Sequence, residues 1–413
     1  MLIAALVTTV LVVGLLVVLF RGGPQHADLG AGSRAEPEQD RAGATSELLF
    51  RVQRALRRGD AAALSDLADP DVPGAARELS ALSRNVRHLR IDHLRLQYLD
   101  ESDHALTPEE RQRFGPEAWK SEVQLSWRFA GVDRSISSLD VPVVTDWEGR
   151  SAVFDTSRAI RGYRVPLWFT EPLAVRRTPD TLVLAGDPRT ARELQQEARV
   201  AVVTVRHTLP DWHAPLVVEA PSSDEEFRAA SGMSRTDSRA IAAVTTTTDG
   251  SALHRAPVHI FLNPRVFDPL GPAGRQIVLS HEATHVALGA ATTDLPLWLS
   301  EGIADYVALA RNTLPDTVLA AQIRALVQKD GPPKALPGSA EFDGANKDIG
   351  AWYEAAWLAV RLLARTYGTD ELLRFYARSE ADGDTTRAFR DVLGTTEKQF
   401  VKAWRAELVE LAR

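Results

Sequence analysis

The sequence predicts an α+β protein: a membrane-length apolar segment, then a small α+β unit, then a larger unit that opens with strands and ends in helices. Three observations carry this reading. Leu2 to Phe20 form one apolar run without charge, helical periodicity gives way to strand alternation after about Arg84, and from about Pro272 onward the pattern is helical.

At 413 residues the chain exceeds one ordinary core, so two soluble domains plus accessory segments are expected. A formal net charge of −7 leaves no basic footprint and argues against nucleic acid as a partner. Cysteine is absent, which excludes disulfides, thiolate ligands and thiol nucleophiles together. Any metal must then be held by His, Asp or Glu.

The first run, LIAALVTTVLVVGLLVVLF, has the length of a transmembrane helix, about 20 residues, and no polar face. It exceeds the roughly 7–15 apolar residues of a cleaved signal peptide and no A-x-A site follows directly. Residues 1–21 are therefore read as an uncleaved anchor of a single-pass cell-membrane protein. Arg21, Arg34 and Arg41 follow the span, which favours an internal body, but long downstream domains cross despite that bias. The C-terminal body is expected outside the cell.

Residues 22–45 are rich in Gly, Pro, Ala and charge without apolar periodicity and read as a linker. The small domain is expected over residues 46–175. Ser46 caps helical spacing in SELLFRVQRALRRGDAAALSDLA, broken at Gly59-Asp60. Alternation follows in HLRIDHLRLQYL, SEVQLSWRFAGV and SSLDVPVVTDWEGRSAVF, with Asp-Trp-Glu-Gly as a hairpin turn. In order of elements this resembles the cone-shaped nuclear-transport-factor-type domains found beside exported bacterial enzymes. His88, His93 and His104 are scattered through it without a carboxylate partner at ligand spacing and read as surface or packed residues.

Residues 176–413 form the second domain. TLVLAG reads as a strand, DPRTARELQQEARVAVVTVRHTL as a helix capped by Asp187, and APLVVEAP, AIAAVTTTT and APVHIFLNP as further strands of a mixed sheet, before a mostly helical remainder. GRQIVLSHEATHVALGAA, with apolar Ile277, Val278, Ala283, Val286 and Ala287, reads as a buried helix. On it His281 and His285 project from one face, four residues apart, so both imidazoles can reach one ion. Glu282 sits beside them, placed to contact a water. A hydrolytic zinc site takes three protein ligands and keeps one open position. Glu301 in PLWLSEGIADY offers the third ligand, and Asp305, one turn on, can accept the free N–H of a ligand histidine.

HExxH followed by W-L-x-E-G-x-A-D resembles the signature of gluzincin metallopeptidases, and the combination looks most like the bacterial peptidase MA-like group. The resemblance covers roughly residues 180–413 and implies a zincin-like domain holding one Zn2+ through His281, His285 and Glu301. It further implies Asp305 as the outer carboxylate and Glu282 as the general base for a zinc-bound water that attacks a peptide bond of a peptide or protein substrate. APVHIFLNP would be the edge strand along which an extended substrate pairs. His259, Tyr306 and Tyr353 are the visible donors for the developing oxyanion. Tyr353, heading the helix of DIGAWYEAAWLAVRLLARTYG, resembles the tyrosine of aminopeptidase-type gluzincins, although packing against Trp352 and Trp357 would equally explain it. Arg361 and Arg365 read as a solvated face. The interval from His285 to Glu301 is shorter than in thermolysin-like enzymes, so their substrate types do not transfer. The rival expectation is a catalytically silent zincin-like binding or scaffold protein at the cell surface.

Overall fold

The computed structural model describes residues 35–68, 74–103, 105–115, 118–145, 152–153, 164–253 and 255–413. The expected span over residues 2–20, the Asp146–Gly149 turn and His104 lie outside them. Among the described residues no helix is long and apolar enough to cross a membrane. The longest helices carry charged residues along one side, as in α1, Ala35–Arg58, which contains Arg51, Arg54, Arg57 and Arg58. The expectation of a membrane-anchored protein with an external body is therefore corrected: the structure contains an α+β fold with a mixed sheet and a mostly helical C-terminal part, and no spanning helix among the described residues.

The first layer is built from α1, α2 (Ala61–Ser65), α3 (Ala75–His88), β1 (Ile91–Glu101), α4 (Pro108–Phe114), β2 (Trp119–Phe129), β3 (Ser137–Thr145) and β4 (Ala152–Val153). The strands form an antiparallel sheet in the order β1-β2-β3-β4. Residue alternation along β2 sends Val123, Leu125 and Trp127 into a core shared with Leu48, Val52 and Leu56 of α1 and with Leu82 and Val86 of α3. Helix α1 begins at Ala35, within the stretch read as linker. Tertiary contacts hold this extension: Arg41 pairs with Glu101, and the Trp119 indole N–H donates to Thr45 Oγ1 at 3.0 Å. His88 and His93 are exposed.

The second layer comprises α5 (Leu167–Thr170), β5 (Ala174–Arg177), β6 (Thr181–Ala185), α6 (Pro188–Thr208), β7 (Leu216–Ala220), α7 (Asp224–Ser231), β8 (Ala243–Thr247) and β9 (Val258–Leu262). The sheet runs β5-β6-β7-β9-β8, with β6, β7 and β9 parallel and β5 and β8 antiparallel to their neighbours. Every residue of β6 and β7 is buried, because both faces are covered. Leu182, Leu184, Val217 and Phe261 join Trp168, Phe227 and the core of the first layer. Val183, Val218, Ile260 and Leu262 pack instead on α6 and on α9, Pro272–Leu288, which follows the short α8 (Pro264–Phe267). The strand expected at the edge, APVHIFLNP, is thus internal. Its alternation records burial on both sides but not which strand lies beside it, and the edges are β5 and β8.

His259 of β9 faces the first layer. Its Nδ1 lies 2.6 Å from Glu219 Oε1 and its Nε2 3.1 Å from Asp133 Oδ1, with Phe129 stacked on the ring. Burial alone would discharge the imidazole, but Asp133 and Glu219 outweigh it and lift its pKa to about 9. The charged ring ties the sheet to the turn after β2.

The remainder is helical: α10 (Leu297–Leu309), α11 (Asp316–Leu319), α12 (Ala321–Asp330), α13 (Ile349–Tyr367), α14 (Thr369–Asp382), α15 (Thr385–Asp391) and α16 (Glu397–Ala412). Trp298 of α10 is surrounded by Phe375, Phe389 and Phe400. Gly302 lets α10 press against α13, since a Cβ there would lie 2.5 Å from the Ala356 carbonyl oxygen. Arg361 and Arg365 sit on an outer face and pair with Asp316 and Glu407.

Because the folded pKa of His259 lies above the ordinary imidazole value of about 6.5, its contribution is fully present below that value and fades as the pH rises through about 9. Denaturant unfolding in steps from pH 6 to pH 10 is expected to show this loss. His259→Gln should abolish the slope and cost roughly 3 kcal/mol at neutral pH, by leaving two buried carboxylates without their cation. An unchanged slope in the variant would contradict the assignment.

Candidate metal centre

Helix α9 starts with Pro272 at its first turn and stops at Gly289, whose φ of 67° closes the last carbonyls. It lies between the sheet and α10, so its histidine face is buried on every side: His281 and His285 are 0% exposed, Glu282 1%. A 3-10 turn at Ala290–Thr292 and Pro296 then redirect the chain into α10, which explains how so short a connection returns Glu301 to the histidines.

Three donor atoms converge there. His281 Nε2 and His285 Nε2 are 3.0 Å apart, and Glu301 Oε2 lies 3.2 Å from the first and 3.6 Å from the second. Donors arranged tetrahedrally at about 2.0–2.2 Å around one ion stand roughly 3.4 Å from each other, so this buried group can hold a metal ion. Both carboxylate oxygens of Glu301 make no hydrogen bond although they are buried, and neither does His285 Nδ1. A carboxylate left so in a core is costly unless a cation meets it.

One turn beyond Glu301, Asp305 Oδ1 lies 2.7 Å from His281 Nδ1. The Nδ1–H donates to this carboxylate, which leaves Nε2 facing the other two donors. Burial works against a charged His281, but Asp305 and Glu301 outweigh it and raise its pKa well above the usual range. For Glu301 the balance is reversed. Burial disfavours the carboxylate, yet His285 and His281 prevail and its pKa is lowered. Uptake of a cation by the three donors therefore expels protons from the site.

Glu282 reaches Thr245 of β8. Its Oε2 accepts a hydrogen bond of 2.6 Å from Thr245 Oγ1, while its Oε1 has no partner. Burial foremost raises its pKa, against the opposing pull of the two histidines and Thr245. Tyr353 of α13 is 1% exposed and packs edge-on to His281, with 6.4 Å between ring centroids and Phe342 on its other side. Burial, then the carboxylates of Glu301, Asp305 and Glu282, raise its pKa well above the ordinary phenol value, so its hydroxyl keeps its proton.

The structure thus brings together His281, Glu282, His285, Glu301, Asp305 and Tyr353. It places two other named residues elsewhere. His259 is on the opposite face of the sheet, and Tyr306 turns its hydroxyl to Thr369 Oγ1 at 3.3 Å. Thr245 escaped the sequence reading. The signal available was its place in the Thr245–Thr248 run, where strand alternation puts it on the same face as Ala243, toward α9. Comparison of the chain with protein-family models, with curated proteins and with solved structures finds no match.

Replacing His281, His285 or Glu301 by Ala is expected to reduce bound metal from one ion per chain to none, measured by inductively coupled plasma mass spectrometry. Asp305→Asn should retain the ion with affinity weakened roughly 10- to 100-fold. Full retention of metal by all three Ala variants would exclude this centre.

Proposed function

We propose that the protein is a zinc-dependent peptidase, with His281, His285 and Glu301 as ligands and Glu282 as general base. The observation that carries the reading is the fourth group. A site meant only to hold an ion has no use for Glu282, a buried carboxylate next to the ligands with one oxygen tied to Thr245 and the other without a partner. Two imidazoles and a carboxylate at these separations suit the tetrahedral habit of zinc, and no thiolate is available to favour a softer ion. When bound, zinc supplies a Lewis acid that polarises the scissile carbonyl and lowers the pKa of water.

This chain's residues do the rest. Glu282 Oε1 takes a proton from the attacking water as the water oxygen bonds to the carbonyl carbon, and delivers it to the amine nitrogen as the C–N bond breaks. Tyr353, held neutral beside His281, offers its hydroxyl to the negative charge that develops on the carbonyl oxygen. Asp305 keeps His281 in one tautomer throughout.

One observation favours a second reading, a catalytically silent zincin-like binding protein. The ligands and Glu282 are at most 1% exposed, so a peptide reaches them only after the surrounding residues yield. Turnover separates the two. Full-length wild type, loaded with one zinc, is expected to cleave members of a peptide library, and Glu282→Gln to keep its zinc while losing roughly 10²- to 10⁴-fold in kcat. Stoichiometric zinc without cleavage of any member would establish the silent protein instead.

A further inference from the structure

We infer that Thr245 is a positioning residue for Glu282, choosing which carboxylate oxygen handles the proton; this rests on the peptidase reading above. Thr245 is 1% exposed and lies in the middle of the edge strand β8, paired with Ile260 of β9. Alternation along β8 directs its side chain toward α9, where Oγ1 lies 2.6 Å from Glu282 Oε2 and 3.1 Å from the Glu282 backbone oxygen. A hydroxyl has one proton to give, and the charged carboxylate at the shorter distance takes it. The contact joins two elements remote in sequence and does not involve the metal ligands.

The consequence is geometric. Glu has three side-chain torsions, and beside a cation a carboxylate is drawn to become a further ligand. The Thr245 bond fixes Oε2 on the β8 side and leaves Oε1, which has no partner, as the oxygen that receives the water proton and passes it to the leaving amine. No proton passes through Thr245 itself. Because the same residue belongs to the edge strand, the base is registered against the strand rather than against its own helix alone. Restraint of this kind acts on the chemical step and not on substrate affinity or on metal binding. Serine preserves the hydroxyl, whereas valine preserves the shape and removes the donor.

The test uses full-length protein as wild type, Thr245→Val and Thr245→Ser, with zinc content, thermal unfolding, KM and kcat measured on one cleaved peptide. Thr245→Val is expected to lower kcat roughly 10- to 100-fold, by analogy with the loss of other orienting partners, with zinc stoichiometry and KM unchanged and the protein still folded at the assay temperature, although removing a hydrogen bond to a buried carboxylate lowers its unfolding midpoint. Thr245→Ser should recover most of that loss, and in a Glu282→Gln background Thr245→Val should have no further effect. A wild-type kcat in the Val variant overturns the assignment. So does a loss accompanied by zinc release or unfolding, or one that Ser fails to recover. A wild type that cleaves nothing overturns the peptidase reading itself, a result recognisable before any variant is compared.

Discussion

The hydrogen bond from His281 Nδ1 to Asp305 Oδ1 is the constraint on which the centre depends. An imidazole offers two nitrogens, and only a donor contact on one makes the other a fixed ligand atom. Asp305 supplies that contact from α10, the helix that also carries Glu301. One helical turn therefore sets both the third donor and the orientation of the first. Loss of this bond would leave His281 free to choose its tautomer.

The packing around the bond explains why these helices meet so closely. Gly302, next to Glu301, has no room for a side chain against the Ala356 carbonyl, so α13 comes near enough for Tyr353 to touch His281. On the other side α9 lies on the sheet through Val278, Leu279 and Ala283. The sheet is in turn fixed to the first layer by a continuous apolar core and by the buried His259–Glu219–Asp133 group. The accessory layer thus acts on the centre through the sheet: it covers the face opposite α9 and holds β9 and, through it, β8 in place behind Glu282.

The metal-centre residues were legible in the sequence because helices impose a period. The spacing of four between His281 and His285, and again between Glu301 and Asp305, already implies shared faces. The strands were less readable. Alternation in VHIFL identified β9 but could not tell an internal strand from an edge one, since sheet order is set by contacts remote in the chain. His259 illustrates the same limit, as its partners Glu219 and Asp133 come from a neighbouring strand and from the other layer. Thr245 carries no motif at all, and its role depends on β8 lying beside α9. The start of α1 was missed because Thr45 and Arg41 are held by Trp119 and Glu101, contacts that local composition does not record. The membrane span was read from the length of an apolar run without a polar face or an adjoining cleavage site, and the helices that the structure describes do not include it.

The central claim is that two imidazoles and one carboxylate, brought together by α9 and α10, hold a single ion. X-ray absorption at the metal edge on the purified full-length protein measures this most directly. The account predicts one zinc per chain with a first shell of nitrogen and oxygen at about 2.0–2.2 Å and the scattering signature of two imidazoles, reduced to one in His285→Ala. A first shell without imidazole scattering, or the absence of stoichiometric metal, would contradict it.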